Sequence, residues 1–258
     1  MASAKDIHLA PISRRDADAL IRRLHYSGTV TNNTLLHLGV FLGGQLEGAL
    51  QFGPSMDKSK LVNVVRGTAW HSFIELSRMA FSDRLPRNSE SRALGIAMRL
   101  MRKQYPQLQW VVSFADATAC GDGTIYRAAG FALTGITKNL TIMVTPWGER
   151  VTNLSITANW DTPRVAAIAR RLGMLEFKYR ARQAWIDAGC RYVPGYQLRY
   201  IYFLDPSARA RLAVPELDYS EIARRGAGMY LGVAREAGDD RAPPETAMAQ
   251  HQSPRSIR

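Results

Sequence analysis

Apolar and polar residues alternate along the chain with a period that changes several times, and each change marks an element. "IHLAPIS" reads as a short strand, and "RRDADALIRRLHYSG" then sets Ala17, Leu20, Ile21 and Leu24 at helical spacing before Gly28 ends the helix. "LLHLGVFLGGQLEGALQFG" reads as two strands joined at Gly43-Gly44, a dipeptide suited to the positive φ of a tight hairpin. After the polar excursion "PSMDKSKLVNVVRGTAW" comes "FIELSRMAF", where Ile74 and Leu76 share one parity and Met79 and Phe81 the other. A strand changes face when one residue is inserted, so a β-bulge is expected near Ser77-Arg78.

A polar elbow, "DRLPRNSE", leads into a helix with Leu94, Ala97, Met98 and Met101 on one face, Asn88 or Ser89 as its N-cap, and an end before Pro106. "WVVSFA" is a continuous apolar run closed by Asp116, the pattern of a strand buried on both faces inside a sheet. Gly121, Gly123 and Gly130 frame a short helix in "TIYRAAGF". Further on, "TKNLTIMV" reads as a strand, "TPRVAAIARRLG" and "EFKYRARQAWIDAG" as helices, and "YQLRYIYFL" as a last strand. The segment "EAGDDRAPPETAMAQHQSPRSIR" has almost nothing to bury and is expected to be disordered. The expected organisation is a catalytic core over 1–150, a basic helix-rich extension over 151–235 packed on or completing it, and a tail over 236–258.

At 258 residues and 46% hydrophobic, the chain can bury a sizeable core. No apolar run reaches the ~18 to 20 residues of a membrane span, and "MASAKDIHLAPISRRD" carries charges where a signal peptide is apolar. A cytoplasmic location without membrane contact is the resulting expectation. Cys120 and Cys190 stand outside any CxxC or Cys/His spacing, so two buried thiols are expected instead of a disulfide or zinc site. Lys and Arg total 34 against 22 acids, a net charge of +12, which favours an anionic partner, with nucleic acid first. The excess is concentrated between Asp161 and Leu212, with ten basic and four acidic residues, although a solvated helix face would give the same pattern.

Bulged strand, elbow, helix, buried strand and a short helix ending Tyr126-x-x-x-Gly130-Phe131 is an order that resembles the centre of the GNAT acyltransferase fold. That resemblance implies an α/β (α+β) class with a central mixed, splayed sheet flanked by helices, here followed by a helical and strand extension. It also implies that a donor's pantetheine and pyrophosphate lie in the splay and at the helix N-terminus, where free backbone N–H groups hold an anion. "RLPRNSESRALG" departs from the Gly-rich elbow of such enzymes and offers Arg84 and Arg87 where phosphates would sit, with Arg78, Asn88, Ser89 and Ser91 as further donor contacts.

A narrower resemblance rests on "ELSRMAFSDRLPRNSESRALGIAMRLMRK", "QWVVSFADATACGDGTIYRAAGFALTG", "HYSG" and "LRYIYFLD". These blocks look like the Mom proteins of phage Mu and related phages. The resemblance implies a DNA-modifying enzyme that converts adenine in double-stranded DNA to N6-carbamoylmethyladenine (N6-acetamidoadenine) and so blocks host restriction. It leaves the donor open between acetyl-CoA and a glycyl-tRNA, and it brings in Fe(II), for which His25 and Asp116, with His71 and Glu75, have the right ligand types.

An exocyclic adenine amine is a poor nucleophile, and its base must be flipped out of the duplex and desolvated before it reacts. Asp116 ends the buried strand, where α/β sheets expose function, and is the first candidate to accept a proton from N6; capping the next loop is the competing role. The resemblance makes Tyr126 the candidate acid, and it lifts His25 and Tyr26 above a helix-end cap. Glu75 and Ser77 share a face of the bulged strand by period two, and Arg78 is a candidate ion-pair partner of Glu75. Arg170, Arg171, Arg180 and Arg182 are the candidate nucleic-acid contacts. Two other readings stay open: a GNAT N-acetyltransferase acting on another amine, and a phage DNA-binding protein without chemistry. A methyltransferase is disfavoured because both the Gly-rich nucleotide loop and an Asn/Asp-Pro-Pro-Tyr segment are missing.

Overall fold

The computed structural model describes residues 2–25, 27–140, 142–152, 156, 163–174, 181–230 and 233–234. Contacts divide the chain into two units that interleave in sequence. Met1–Ala115, Gly123–Ile136 and Leu198–Glu221 form the first, and Asp116–Asp122, Thr137–Gln197 and Ile222–Arg258 the second.

The first unit is built on a mixed sheet. Strands β1 (His8–Pro11), β2 (Leu36–Leu42), β3 (Gln45–Gly53), β4 (Phe73–Phe81), β5 (Trp110–Asp116), β6 (Ala132–Asn139) and β10 (Gly195–Phe203) lie in the order β1-β2-β3-β4-β5-β10-β6. The first four pair antiparallel and β4 with β5 parallel. The late strand β10, from the segment expected to pack on or complete the core, enters between β5 and β6. Gly43 and Gly44, at φ 56° and 79°, turn β2 into β3 as expected of that dipeptide.

Helix α1 (Arg14–Leu24) starts because the Ser13 hydroxyl accepts from the Asp16 N–H at 3.1 Å. Its apolar face buries Ala17, Leu20 and Ile21 with Ala49 and Ala80, and each of the two larger side chains contributes about 2 kcal/mol. Helix α3 (Ser89–Gln104) buries Leu94, Ala97, Met98 and Met101 and leaves Arg92, Arg99, Arg102 and Lys103 exposed, as its pattern predicts. The excursion after β3 holds one α-helical turn, α2 (Lys58–Leu61), followed by a 3-10 turn at Val62–Val64, and packs Leu61, Val64 and Val65 with Phe73 and Trp110.

The second unit contains a three-stranded sheet of β7 (Ile142–Val144), β8 (Arg150–Thr152) and β9 (Arg191–Tyr192) in the order β8-β7-β9. The expected strand "TKNLTIMV" is therefore two: its first residues end β6 and its last form β7. Met143, Val151, Val165, Ile168 and Trp185 form the unit's core with the buried free thiol of Cys190. The expected helix over 175–188 is described only as α7 (Arg182–Asp187), which follows α6 (Pro163–Arg171) and the short α4 (Ala117–Cys120) and α5 (Thr124–Ala128) earlier in the chain. Strands β11 (Met229–Tyr230) and β12 (Val233–Ala234) form a small hairpin after α8 (Ser220–Arg224), beyond the strand expected to be last. The tail expected over 236–258 lies outside the described residues, as does the Cys120 side chain. No described helix is long and apolar enough to cross a membrane.

Candidate active site

The register of β4 explains its change of face. Gln51 pairs with Arg78 and Phe52 with Leu76, so Ser77 is the inserted residue of a bulge, where the parity switch placed it. Parallel pairing with β5 runs from Phe73–Trp110 to Leu76–Ser113 and ends there, next to the bulge. Beyond this point both strands continue without pairing to each other, so the sheet splays here.

Polar groups converge on the end of the pairing. Ser113 Oγ lies 3.0 Å from the Leu76 carbonyl oxygen and 2.9 Å from the Tyr126 phenol oxygen. One hydroxyl has one proton, and a carbonyl only accepts, so Ser113 donates to Leu76 and the phenol donates to Ser113. Tyr126 is buried, stacked on Tyr200 at 5.1 Å and edge-on to Phe131 at 5.4 Å. Gly123 makes the stacking possible: at φ 76°, a Cβ there would lie 2.5 Å from the Tyr200 ring.

Because Ser77 is the inserted residue, period two no longer places it beside Glu75. Its hydroxyl donates to the Gln51 carbonyl oxygen at 3.2 Å. Arg78 donates through Nε to Thr29 O at 3.0 Å and through Nη1 to Ser77 O at 2.7 Å, tying the bulge to the segment after α1. Burial raises the pKa of Glu75; the Ser55 hydroxyl and the Arg78 charge pull it down, and Asp57 adds to the rise. His25 caps the C-terminus of α1, its N–H donating to Ile21 O at 2.9 Å. Its Nδ1 accepts from the Ser27 N–H at 3.2 Å and lies 2.8 Å from Ser27 Oγ. Burial, and then the Arg78 charge, lower its pKa to about 3. The ring is thus neutral near pH 7, and an accepting Nδ1 leaves the proton on Nε2.

The elbow supplies by another residue what glycine supplies elsewhere. Asn88 has φ 70°, the only positive φ of a non-glycine among the described residues, and the left-handed turn is one that asparagine tolerates. Asn88 is the N-cap residue, one of the two positions expected, but its side chain makes no cap hydrogen bond. The amides of Glu90 and Ser91 meet no acceptor among the described residues, and the buried Ser89 Oγ has no partner among them. Ser91 Oγ donates back to Asn88 O at 3.2 Å, and Arg87 is exposed. Arg84 is held 3.3 Å from the buried Glu47, a bulge residue of β3 that also accepts from Ser82 Oγ at 2.5 Å. Open amides after a left-handed turn, with an arginine beside them, can hold an anion.

Asp116 belongs to the second unit, where it caps α4 by accepting from the Thr118 N–H at 3.0 Å. Arg170, Arg171 and Arg182 of the same unit are exposed, with the Arg171 guanidinium 4.1 Å from the centre of the Trp147 ring. Tyr26 and Arg180 lie outside the described residues. No three His, Cys, Asp or Glu side chains converge among the described residues, so those residues do not fit the iron site considered from His25, Asp116, His71 and Glu75. Sequence reasoning passed over Ser113 and Tyr200. Ser113 was findable as the one hydroxyl inside "WVVSFA".

Residues 6–221 match the Mom protein family. Methylcarbamoylase mom of Escherichia phage Mu is 40% identical over 132 residues, which cover 51% of this chain and 55% of that protein. The match therefore spans little more than half the length of that relative. Among solved structures, the ribosomal-protein-S18-alanine N-acetyltransferase of Escherichia coli has 10% identity and a TM-score of 0.41, covering 77% of this chain and 94% of that one. A Bacillus subtilis acetyltransferase in complex with CoA has 12% identity and a TM-score of 0.37, covering 52% and 80%. Similarity this distant carries no argument about the site.

Proposed function

The chain belongs to the Mom protein family, and from that premise we propose that it is a transferase that modifies adenine in phage DNA. The product is N6-carbamoylmethyladenine, and its effect is to protect the DNA from host restriction. The observation that carries this reading is the family match over residues 6–221, which takes in the bulge, the elbow and Tyr126. The name methylcarbamoylase of the phage Mu relative supports the group transferred.

The proposed roles follow from chemistry at the end of the β4–β5 pairing. Tyr126 is the proton donor: its O–H, directed at Ser113 Oγ in the structure, turns to the departing atom, while Ser113 keeps its own bond to the Leu76 carbonyl oxygen. Glu75 accepts from N6–H, because a carboxylate with a raised pKa is the stronger base. Asp116, expected from the sequence to accept from N6, caps α4 in the second unit. Neutral His25 acts as an Nε2–H donor that orients the base or the transferred carbonyl, with Tyr26 beside it in sequence. Ser77 and Arg78 keep the bulge in shape. The Glu90 and Ser91 amides, with Asn88, Ser89 and Arg87, hold the phosphates of the donor, while Arg84 steadies the elbow through Glu47. When bound, a glycyl-tRNA would supply both carbons and the nitrogen of the CH2–C(=O)–NH2 group at the required oxidation level and leave as the free tRNA hydroxyl, whereas acetyl-CoA would supply only the carbons and would need an amine and a two-electron oxidant besides. Arg170, Arg171, Arg180 and Arg182 grip the nucleic-acid backbone.

Digestion of plasmid DNA tests the function. Plasmid from cells making the protein resists endonucleases whose sites contain adenine and is cut normally at sites made only of G and C. Full cleavage at both kinds of site contradicts the reading.

A further inference from the structure

A cavity of about 250 Å³ lies at the opposite end of the β4–β5 pairing from Tyr126, where Phe73 and Ile74 begin the paired segment. Leu35 and Pro54 form one wall, Tyr105 and Leu108 another, and Lys58 and His71 bring polar groups to it. No carboxylate lines it. The Lys58 ammonium stands 5.1 Å from the Trp70 ring centre and 5.4 Å from that of Phe73. Trp70 is 49% exposed and Leu35 74%, so aromatic and aliphatic surface stays open beside a held cation.

The cavity exists because of the polar excursion between β3 and β4, and that segment is pinned in place. Trp110 Nε1 donates to Thr68 Oγ1 at 3.1 Å, the Gln109 N–H to Ser72 O at 2.7 Å, and Arg211 to Arg66 O at 2.7 Å. Arg66 N–H donates to Arg211 O at 2.8 Å and Ala213 N–H to Val64 O at 2.8 Å. The pocket is preformed, and an open indole beside a lysine has no part in the site around Tyr126.

We propose that this pocket is a second nucleic-acid subsite: one unpaired base enters it against Tyr105, Lys58 meets the adjoining phosphate, and the exposed Trp70, which stands against Lys58 outside the pocket lining, stacks the neighbouring base. Apolar walls, aromatic faces and a single cation are the chemistry that holds single-stranded nucleic acid without reading sequence. The net charge of +12 supplies the long-range attraction. Burial also lowers the pKa of Lys58, so its ammonium is poorly hydrated and gains from a phosphate partner. The inference rests on the proposed function, because a base displaced from a duplex leaves unpaired nucleotides that need a place to stack.

The test is fluorescence anisotropy of short labelled deoxyribo- and ribo-oligonucleotide single strands with the full chain. Trp70→Ala weakens binding roughly tenfold or more, while Trp70→Phe keeps most of it. Lys58→Met lowers the salt slope by about 0.7, the value for one phosphate of a single strand. A strand of abasic residues binds the native chain and Trp70→Ala alike. Preference for the deoxyribo strand assigns the pocket to the DNA substrate, and preference for the ribo strand to an RNA. Native binding with unchanged affinity in Trp70→Ala and Lys58→Met overturns the pocket and leaves the proposed function standing. Failure of the native chain to bind any strand or duplex overturns both.

Discussion

Ser113 Oγ stands 2.9 Å from the Tyr126 phenol oxygen, in the last pair before β4 and β5 separate. Ser113→Ala leaves the Leu76 carbonyl without this donor, at a cost of about 1 to 3 kcal/mol in a urea titration. Tyr126→Phe keeps the ring stacked on Tyr200 and costs about 1 kcal/mol. Activity reverses the order. The phenylalanine variant loses roughly 100-fold or more in kcat with little change in KM, and the alanine variant loses less. Equal activity losses contradict the assignment of the phenol as donor.

His25 makes stability depend on pH in a known direction. Its pKa is about 3 in the folded chain, against 6.5 when unperturbed. Above pH 6.5 both states are neutral there and its contribution is complete. As pH falls towards 3 the unfolded chain binds a proton that the folded chain refuses, and stability drops by up to about 1.4 kcal/mol per pH unit. Urea titrations at pH 7 and pH 5 measure this. The native chain loses more than His25→Gln, and identical losses place the pH dependence elsewhere.

Asn88 occupies a backbone conformation that glycine adopts without strain. Asn88→Gly leaves thermal stability nearly unchanged and preserves donor affinity. Asn88→Val costs about 1 to 2 kcal/mol and weakens the donor, because the first-turn amides turn away from the phosphates. Calorimetric titration of coenzyme A against both variants reads the difference; a valine variant that binds as the native chain does removes the elbow from the donor site.

Arg170 and Arg171 end α6 exposed, in a chain with surplus positive charge. If both meet phosphates, replacing the pair with alanine lowers the salt slope of duplex binding by about 1.8. An unchanged slope assigns Arg171 to Trp147 alone and Arg170 to solvent.

The hairpin at Gly43-Gly44, the bulge at Ser77 and the buried face of α3 were legible because each is written in local periodicity. The elbow was not, since Asn88 hides a glycine's geometry under another residue type. Tyr126 could be named from its Gly130-Phe131 context, whereas Ser113, its partner, lies thirteen residues earlier and only the register reveals it. The low pKa of His25 arises from burial and from Arg78, 53 positions away in the chain, and no spacing signals it. That β10 returns to the main sheet from far along the sequence was likewise invisible to local patterns, because strand neighbours are set by pairing and not by order in the chain.

The decisive measurement is mass spectrometry of nucleosides digested from plasmid DNA of expressing cells, with Tyr126→Phe alongside. An adenine-modifying transferase yields deoxyadenosine bearing the mass of one carbamoylmethyl group from the native chain, and little or none from the variant. Unmodified deoxyadenosine from soluble, well-expressed native protein contradicts that activity.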